Sequence, residues 1–184
     1  MEIAPGDLLV ATPGLLDPNF VRSVVLMVDL DAEGAVGVVL NRPTGVLVSD
    51  VLDAWDGGVA EPPVLFQGGP VSTEAALAIG MLRDVADAPV GFRAFAGPLG
   101  LLDLDTPPEL VEGSLSGLRV FAGYSGWGVD QLARELAEGS WFVVPAQGED
   151  VFRPAVDTLW RDVLRRQPGD LAWQSTRPAD PEQN

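Results

Sequence analysis

Residues 121–132, FAGYSGWGVDQL, set Tyr124, Ser125, Trp127 and three glycines ahead of an amphipathic run. A loop of that composition could present a nucleophile, cradle a phosphate or dock a partner through its aromatics. The nucleophile elbow requires G-x-S-x-G, whereas Gly123-Tyr124-Ser125 is followed by Gly126-Trp127. The dinucleotide fingerprint fails as well, because Gln131 stands where its third glycine belongs. A phosphate at the helix start would meet Asp130, whose charge already complements the helix dipole. The residues are read mainly as a strand-to-helix corner whose glycines allow close approach, with Tyr124 and Trp127 packing or rimming a groove.

A second candidate, DLDAEG, puts Asp29, Asp31 and Glu33 at the odd positions of a calcium loop and Gly34 at its glycine position. The position of the bidentate Glu is Leu40, and the segment lies between β-branched runs, so a solvated hairpin tip is expected and no metal site. The residue inventory excludes much more. The chain has no His, no Cys and no Lys, so all 11 positive charges are Arg. Disulfides, thiolate or imidazole metal sites, Ser-His-Asp and Cys-His catalysis, lysine Schiff bases and the Walker A lysine are therefore out of reach. No catalytic residue and no cofactor are assigned, and the expectation leans against an enzyme.

The 27 acids give a net charge of -16, which repels a nucleic-acid backbone at long range. The one basic cluster is Arg161, Arg165 and Arg166. It is accounted for by acid-first i,i+4 pairs (Asp157 with Arg161, Asp162 with Arg166) and by the helix dipole. Direct nucleic-acid contact is not expected. No stretch approaches the roughly 18 uninterrupted apolar residues of a membrane helix, and the first residues carry Glu2 and Asp7 but no basic group. The expected location is the cytoplasm, with no membrane contact.

The elements that must position these residues follow from periodicity. Residues 7–12 form a strand, and runs 24–30 and 35–40 around the turn at Asp31 to Gly34 form a hairpin. Both arms are apolar throughout, which predicts a central sheet covered on both faces. One amphipathic helix is expected over 48–55, then short strands at PVLFQ and ALAIGML, with short strands and loops over 83–117. Residues 118–123 are a strand, and Val129, Leu132, Ala133, Leu136 and Ala137 mark a helical face closed by Gly139. With strand 141–146 this makes a βαβ unit and predicts a parallel pair. The last helix is expected to start at Pro154 and to bury Val156, Leu159, Trp160, Val163 and Leu164. Residues 1–167 are expected to be a single domain. Residues 168–184 are expected to be a C-terminal tail, partly disordered, with packing possible at Leu171 to Trp173 and mobility over 178–184.

In that order and spacing, DPNFVRSVVLMVD, GAVGVVLNRP, GGPV, FAGYSGWGVDQLARELAEGSWFVVPA and a later LW resemble the AlgH/YqgE family, from about residue 6 to 166. Family members usually read GYAGWGPGQLE here, so Ser125 replaces Ala and Val129-Asp130 replace Pro-Gly. The resemblance implies an α/β domain with α+β character, its mixed, curved central sheet carrying helices packed on its faces. It also implies a role in transcriptional regulation, with no catalytic mechanism or cofactor to carry over. The family motifs nominate Asp17, Asn19, Arg22, Asn41, Arg42, Tyr124 and Trp127 as a candidate binding surface at strand ends and loops. Each has a structural alternative: Asp17 and Asn19 as turn formers, Asn41 as a strand-end cap, Arg22 and Arg42 in local ion pairs. The expected function is a cytoplasmic regulatory or adaptor domain acting through an unknown protein partner or small ligand. The alternative is a small-molecule binder, or an enzyme, built on a carboxylate, Arg and Tyr crevice.

Overall fold

Strands apolar at every position need cover on two sides, and the computed structural model, which describes residues 3–178, shows how it is supplied. Strands β1 (Asp7–Ala11), β2 (Val24–Asp31) and β3 (Gly34–Val39) form an antiparallel meander. Side chains alternate across a pleat. Leu8, Val10, Val24, Leu26 and Val38 accordingly enter one core, while Leu9, Ala11, Val25, Met27 and Val39 enter another.

Seven further strands complete the sheet: β4 (Pro43–Leu47), β5 (Val64–Gln67), β6 (Val71–Leu82), β7 (Phe92–Ala96), β8 (Leu99–Leu102), β9 (Leu115–Gly128) and β10 (Trp141–Pro145). The order is β10-β1-β2-β3-β9-β6-β8-β7, with β4 paired to β5. Every pairing is antiparallel except β5 with β9, so the sheet is mixed, and it curls into a half-barrel. The curl brings the start of β1 against the end of β7, where a Cβ on Gly6 would lie 2.4 Å from that of Ala96. β9 pairs with β6 as far as Tyr124 and with β3 from Ser125 onward. The β9–helix–β10 segment does not make the expected parallel pair. Counting through the antiparallel neighbours, β9 and β10 run in the same sense, but β1, β2 and β3 lie between them.

The helices are short: α1 (Val48–Val51), α2 (Gln131–Ala137), α3 (Gly148–Phe152), α4 (Leu159–Arg165) and α5 (Asp170–Gln174). The single helix expected over 48–55 is broken at Leu52, whose φ of -137° leaves the helical region. The break leaves Val51 exposed and turns Trp55 inward, where its Nε1 donates to Leu104 O at 3.3 Å. The helix expected from Pro154 begins only at Leu159; the residues between form turns, with Val156 N donating to Pro154 O and Leu159 N to Val156 O, both at 3.1 Å. The expected buried face, Val156, Leu159, Trp160, Val163 and Leu164, is nevertheless all in the first core. Leu171 of α5 packs against that core. Residues 179–184 lie outside the described part of the chain, so the expected mobility there is not described.

The ion pairs differ from the helical i,i+4 pattern. Arg166 lies past the end of α4 and reaches Asp150 on α3, while Asp162 meets Arg153 at 2.7 Å. The Thr158 hydroxyl, donating at 2.7 Å, and then Arg153 hold the Asp162 carboxyl below its ordinary value of 3.8. A carboxylate with a lowered folded pKa stabilises above the ordinary value and loses that contribution as pH falls through the folded one. Asp162→Asn is therefore expected to remove a small increment, under about 1 kcal/mol for so exposed a pair. The loss should be present at pH 7 and vanish in strong acid, as read from urea titrations at both pH values.

One buried charge has no carboxylate partner among the described residues. Arg119 on β9 is 1% exposed and stacks 4.2 Å from the Phe66 ring centroid. It donates to the carbonyls of Val151 (2.9 Å), Arg153 (3.2 Å) and Glu61 (2.5 Å). Burial pushes its pKa down to about 10, so it remains cationic at neutral pH. Its hydrogen bonds tie α3 and the segment before β5 to the middle of the sheet.

Candidate functional site

The glycine-rich stretch expected to be a corner is strand: β9 continues through FAGYSGWG to Gly128, and the chain turns only at Val129–Asp130. The reason lies in Gly68-Gly69-Pro70, which crosses β9 backbone on backbone. Gly68 N donates to Ala122 O at 3.0 Å, and Gly68 O accepts from Val39 N (2.9 Å) and from Ser125 Oγ (3.1 Å). A Cβ on Gly68 would lie 2.3 Å from Gly123 O, and one on Gly69 would lie 2.2 Å from Tyr124 O. The two glycine motifs thus serve one crossing. Ser125 is fully buried in it and has no access to a substrate.

Trp127 follows inward from the crossing and is only 5% exposed, so it takes the packing role that was one of the two expected for it. Its Nε1 and that of Trp141 both donate to Glu135 Oε2, at 2.9 and 2.8 Å, and Gln131 donates to Oε1 at 2.9 Å. Phe20 packs edge-on to Trp141 with ring centroids 5.5 Å apart. This carboxylate holds two indoles and α2 against the second core. Its only trace in the sequence is an acid on the inner face of a helix flanked by two tryptophans.

Five of the nominated residues gather where the 17–22 loop meets the end of β3. Asp17 Oδ1 accepts from Asn19 N at 2.8 Å, a turn that the chain closes on itself. Asn41 clasps β2, its Oδ1 accepting from Val24 N (3.0 Å) and its Nδ2 donating to Arg22 O (2.9 Å). Among the described residues neither arginine forms the expected local ion pair, and both are met by backbone carbonyls. Arg42 donates to Val21 O at 2.6 Å, and Arg22 donates to Arg177 O at 2.6 Å and to Pro178 O. Asn19, Arg42 and Gln67 border a small recess of about 140 Å³.

Tyr124 stands apart from these five. It is half-buried on β9 beside a recess of about 430 Å³ that Trp127, Val71, Asp29, Asp31 and Glu33 also line, so the two nominated aromatics border one recess. Val71 is 37% exposed. Asp31 Oδ1 accepts from the backbone N–H of Glu33 (2.7 Å) and Gly34 (3.1 Å), which identifies the acidic rim as the hairpin tip. Among the described residues no group of three or more acids gathers as a metal site. On its other side Tyr124 meets a second recess, of about 410 Å³, that Arg93 and Asp103 also line. What the first recess offers chemically is an aromatic face and a valine framed by three carboxylates. That arrangement suits a cationic segment with apolar side chains.

The AlgH-like family model matches residues 8–172. A UPF0301 protein of Streptomyces avermitilis is 53% identical over 182 residues, covering 97% of this chain and 94% of its own. A UPF0301 protein of Thermobifida fusca is 47% identical over 188 residues, with the same coverage of 97% and 94%. A crystal structure of a Corynebacterium diphtheriae protein superposes with a TM-score of 0.92 at 36% identity, covering 96% of this chain and 94% of that one. The solution structure of the AlgH protein from Pseudomonas aeruginosa has a TM-score of 0.71 at 23% identity, covering 97% and 98%, and shares the fold. Among the described residues no helix is long and apolar enough to cross a membrane.

Proposed function

The chain belongs to the AlgH-like family, and we propose that it is a cytoplasmic regulatory or adaptor domain that influences transcription through a protein contact, not by touching DNA. The observation carrying this reading is the Tyr124 and Val71 crevice rimmed by Asp29, Asp31 and Glu33 on a chain of net charge -16. An acidic, partly apolar rim repels phosphate backbones and attracts a basic protein segment. Trp127 borders the same crevice, its Nε1 held by Glu135.

A photo-crosslinking residue at Val71 of the full chain, expressed in its native host at physiological salt, tests the reading. The expected result is a crosslink to an Arg- or Lys-rich protein segment. It should be lost when Tyr124→Ala and Asp31→Arg are combined in a variant that melts like the parent. A crosslink indifferent to those changes, or to an acidic segment, overturns the adaptor reading. If no protein is captured, the weight passes to the small-molecule alternative, which the recess shared by Tyr124, Arg93 and Asp103 supports.

A further inference from the structure

Far from the acidic rim, the last described residues close a recess of about 600 Å³ against the segment that follows β1. Arg22 and Arg177 line it together with Thr12, Thr176, Leu15 and Leu16. Among the described residues no carboxylate lines this recess, although the chain carries 27 acids and 11 arginines. Among the described residues none of Arg22, Arg161 and Arg177 forms an ion pair. Burial first, and then the nearby Arg161, lower the Arg22 pKa.

Arg22 is also fixed in place. Its backbone is left-handed, with φ at +55°, and its guanidinium lies 4.2 Å from the Trp160 ring centroid. One of its terminal nitrogens, Nη2, holds the carbonyls of Arg177 and Pro178, so the C-terminal segment forms a wall of the recess. The threonine hydroxyls are already spent as donors, Thr12 to Gly139 O at 2.9 Å and Thr176 to Trp173 O at 2.8 Å. Among the side chains lining the recess, the guanidiniums are then the donors left for a new acceptor. On the apolar side, Leu16 is 69% exposed and Leu15 half-buried.

We propose that this recess binds an amphipathic carboxylate, its head group on Arg22 and Arg177 and its apolar body against Leu15 and Leu16. A planar two-oxygen head matches a guanidinium fork, and it relieves two like charges at once. Inorganic phosphate can pair with the same guanidiniums but brings no apolar body to Leu15 and Leu16, and is therefore expected to bind more weakly. The recess is of the size that holds small ligands, roughly 300–1,000 Å³. This site is independent of the crevice at Tyr124.

The test is titration of the full-length ¹⁵N-labelled chain with sodium decanoate below its micellar range, followed by amide shifts and calorimetry. Saturable shifts are expected in residues 12–22 and 176–178. Arg22→Gln and Leu16→Ser should each weaken binding about tenfold, the scale of a lost charge-assisted hydrogen bond or a lost apolar contact surface. Should Arg22→Gln lower the melting temperature, Arg177→Gln carries the same expectation at an exposed position. Decan-1-ol, with the same body and no charge, should bind about tenfold more weakly for the same reason. The proposal is overturned if decanoate leaves those amides unmoved, if decanol binds equally well, or if inorganic phosphate binds as tightly as decanoate. It is overturned equally if folded Arg177→Gln and Leu16→Ser proteins both bind at parental affinity.

Discussion

Gly69→Ala is expected to destabilise the protein by about 3 kcal/mol or more, and to prevent folding if the parent stability is near the lower end of the usual range. Three costs coincide at this position. A Cβ would sit 2.2 Å from Tyr124 O, 2.3 Å from Tyr124 C and 2.5 Å from Ser125 N. All three are backbone atoms of β9, and they cannot rotate away as a side chain could. The φ of +154° is also one that alanine rarely adopts. Relief would require the crossing to open, which would strain the hydrogen bonds of Gly68 with Ala122, Val39 and Ser125. Gly45→Ala is the control, since nothing lies within 4 Å of its Cβ position and its φ is ordinary. That variant should stay within about 0.5 kcal/mol of the parent in urea denaturation. A Gly69→Ala protein that unfolds at nearly the parent's urea concentration would mean that the crossing is looser than described.

Arg166→Met is expected to cost about 3–5 kcal/mol, because it strands a charge that has no route to water. Asp150 is 1% exposed and receives both terminal nitrogens of Arg166, at 2.6 and 2.5 Å. It also accepts from Gln147 N at 2.7 Å, which alone does not compensate a buried carboxylate. The informative comparison is the double variant Asp150→Leu with Arg166→Met, which removes the charge together with its partner. Much of the loss should return, short of the contribution of about 1 kcal/mol from the cap that Asp150 gives α3. A double-mutant cycle in chemical denaturation measures both numbers. A single variant costing under about 1 kcal/mol would show that water reaches Asp150 and that the pair is a surface one.

The first three strands were legible because burial on both faces leaves a run of apolar residues at every position, as in LLVA and VVLMV. The buried side of the last helix was legible for a similar reason: the 3.6 period survives even where the helix starts five residues later than Pro154 suggests. FAGYSGWG misled because glycine density is a local signal of turns, whereas its cause here is contact with residues more than fifty positions away. The partners of Arg22, Arg42, Arg119 and Arg166 were hidden for the same reason. Three of these arginines are bound by carbonyls, which every residue carries and no pattern announces, and the fourth by an acid sixteen residues distant. Of the candidate surface, the types were legible but not the grouping. Asp17 and Asn41 serve the turn and the strand end, and Trp127 the interior. Tyr124 borders open space, and its acidic neighbours come from the 29–34 segment, whose turn chemistry marks a hairpin tip but not what the tip faces.

Strand β9 changes neighbours midway, and this has a bearing on how the molecule comes apart. Its first ten residues belong to the ladder with β6 and its last four to the ladder with β3. Neither half of the sheet therefore owns a complete set of interior strands, and neither is equipped to persist once the other has melted. Opening events that expose β9 amides must disrupt both ladders, so the strand belongs to the most slowly exchanging set and reports global unfolding. The hairpin tip at 31–34 and the irregular stretch of β6 between Val71 and Ala76, where the register with β9 shifts, can fluctuate without engaging that cooperative unit. The rim of the Tyr124 crevice is thereby free to move, while the strand beneath it stays fixed.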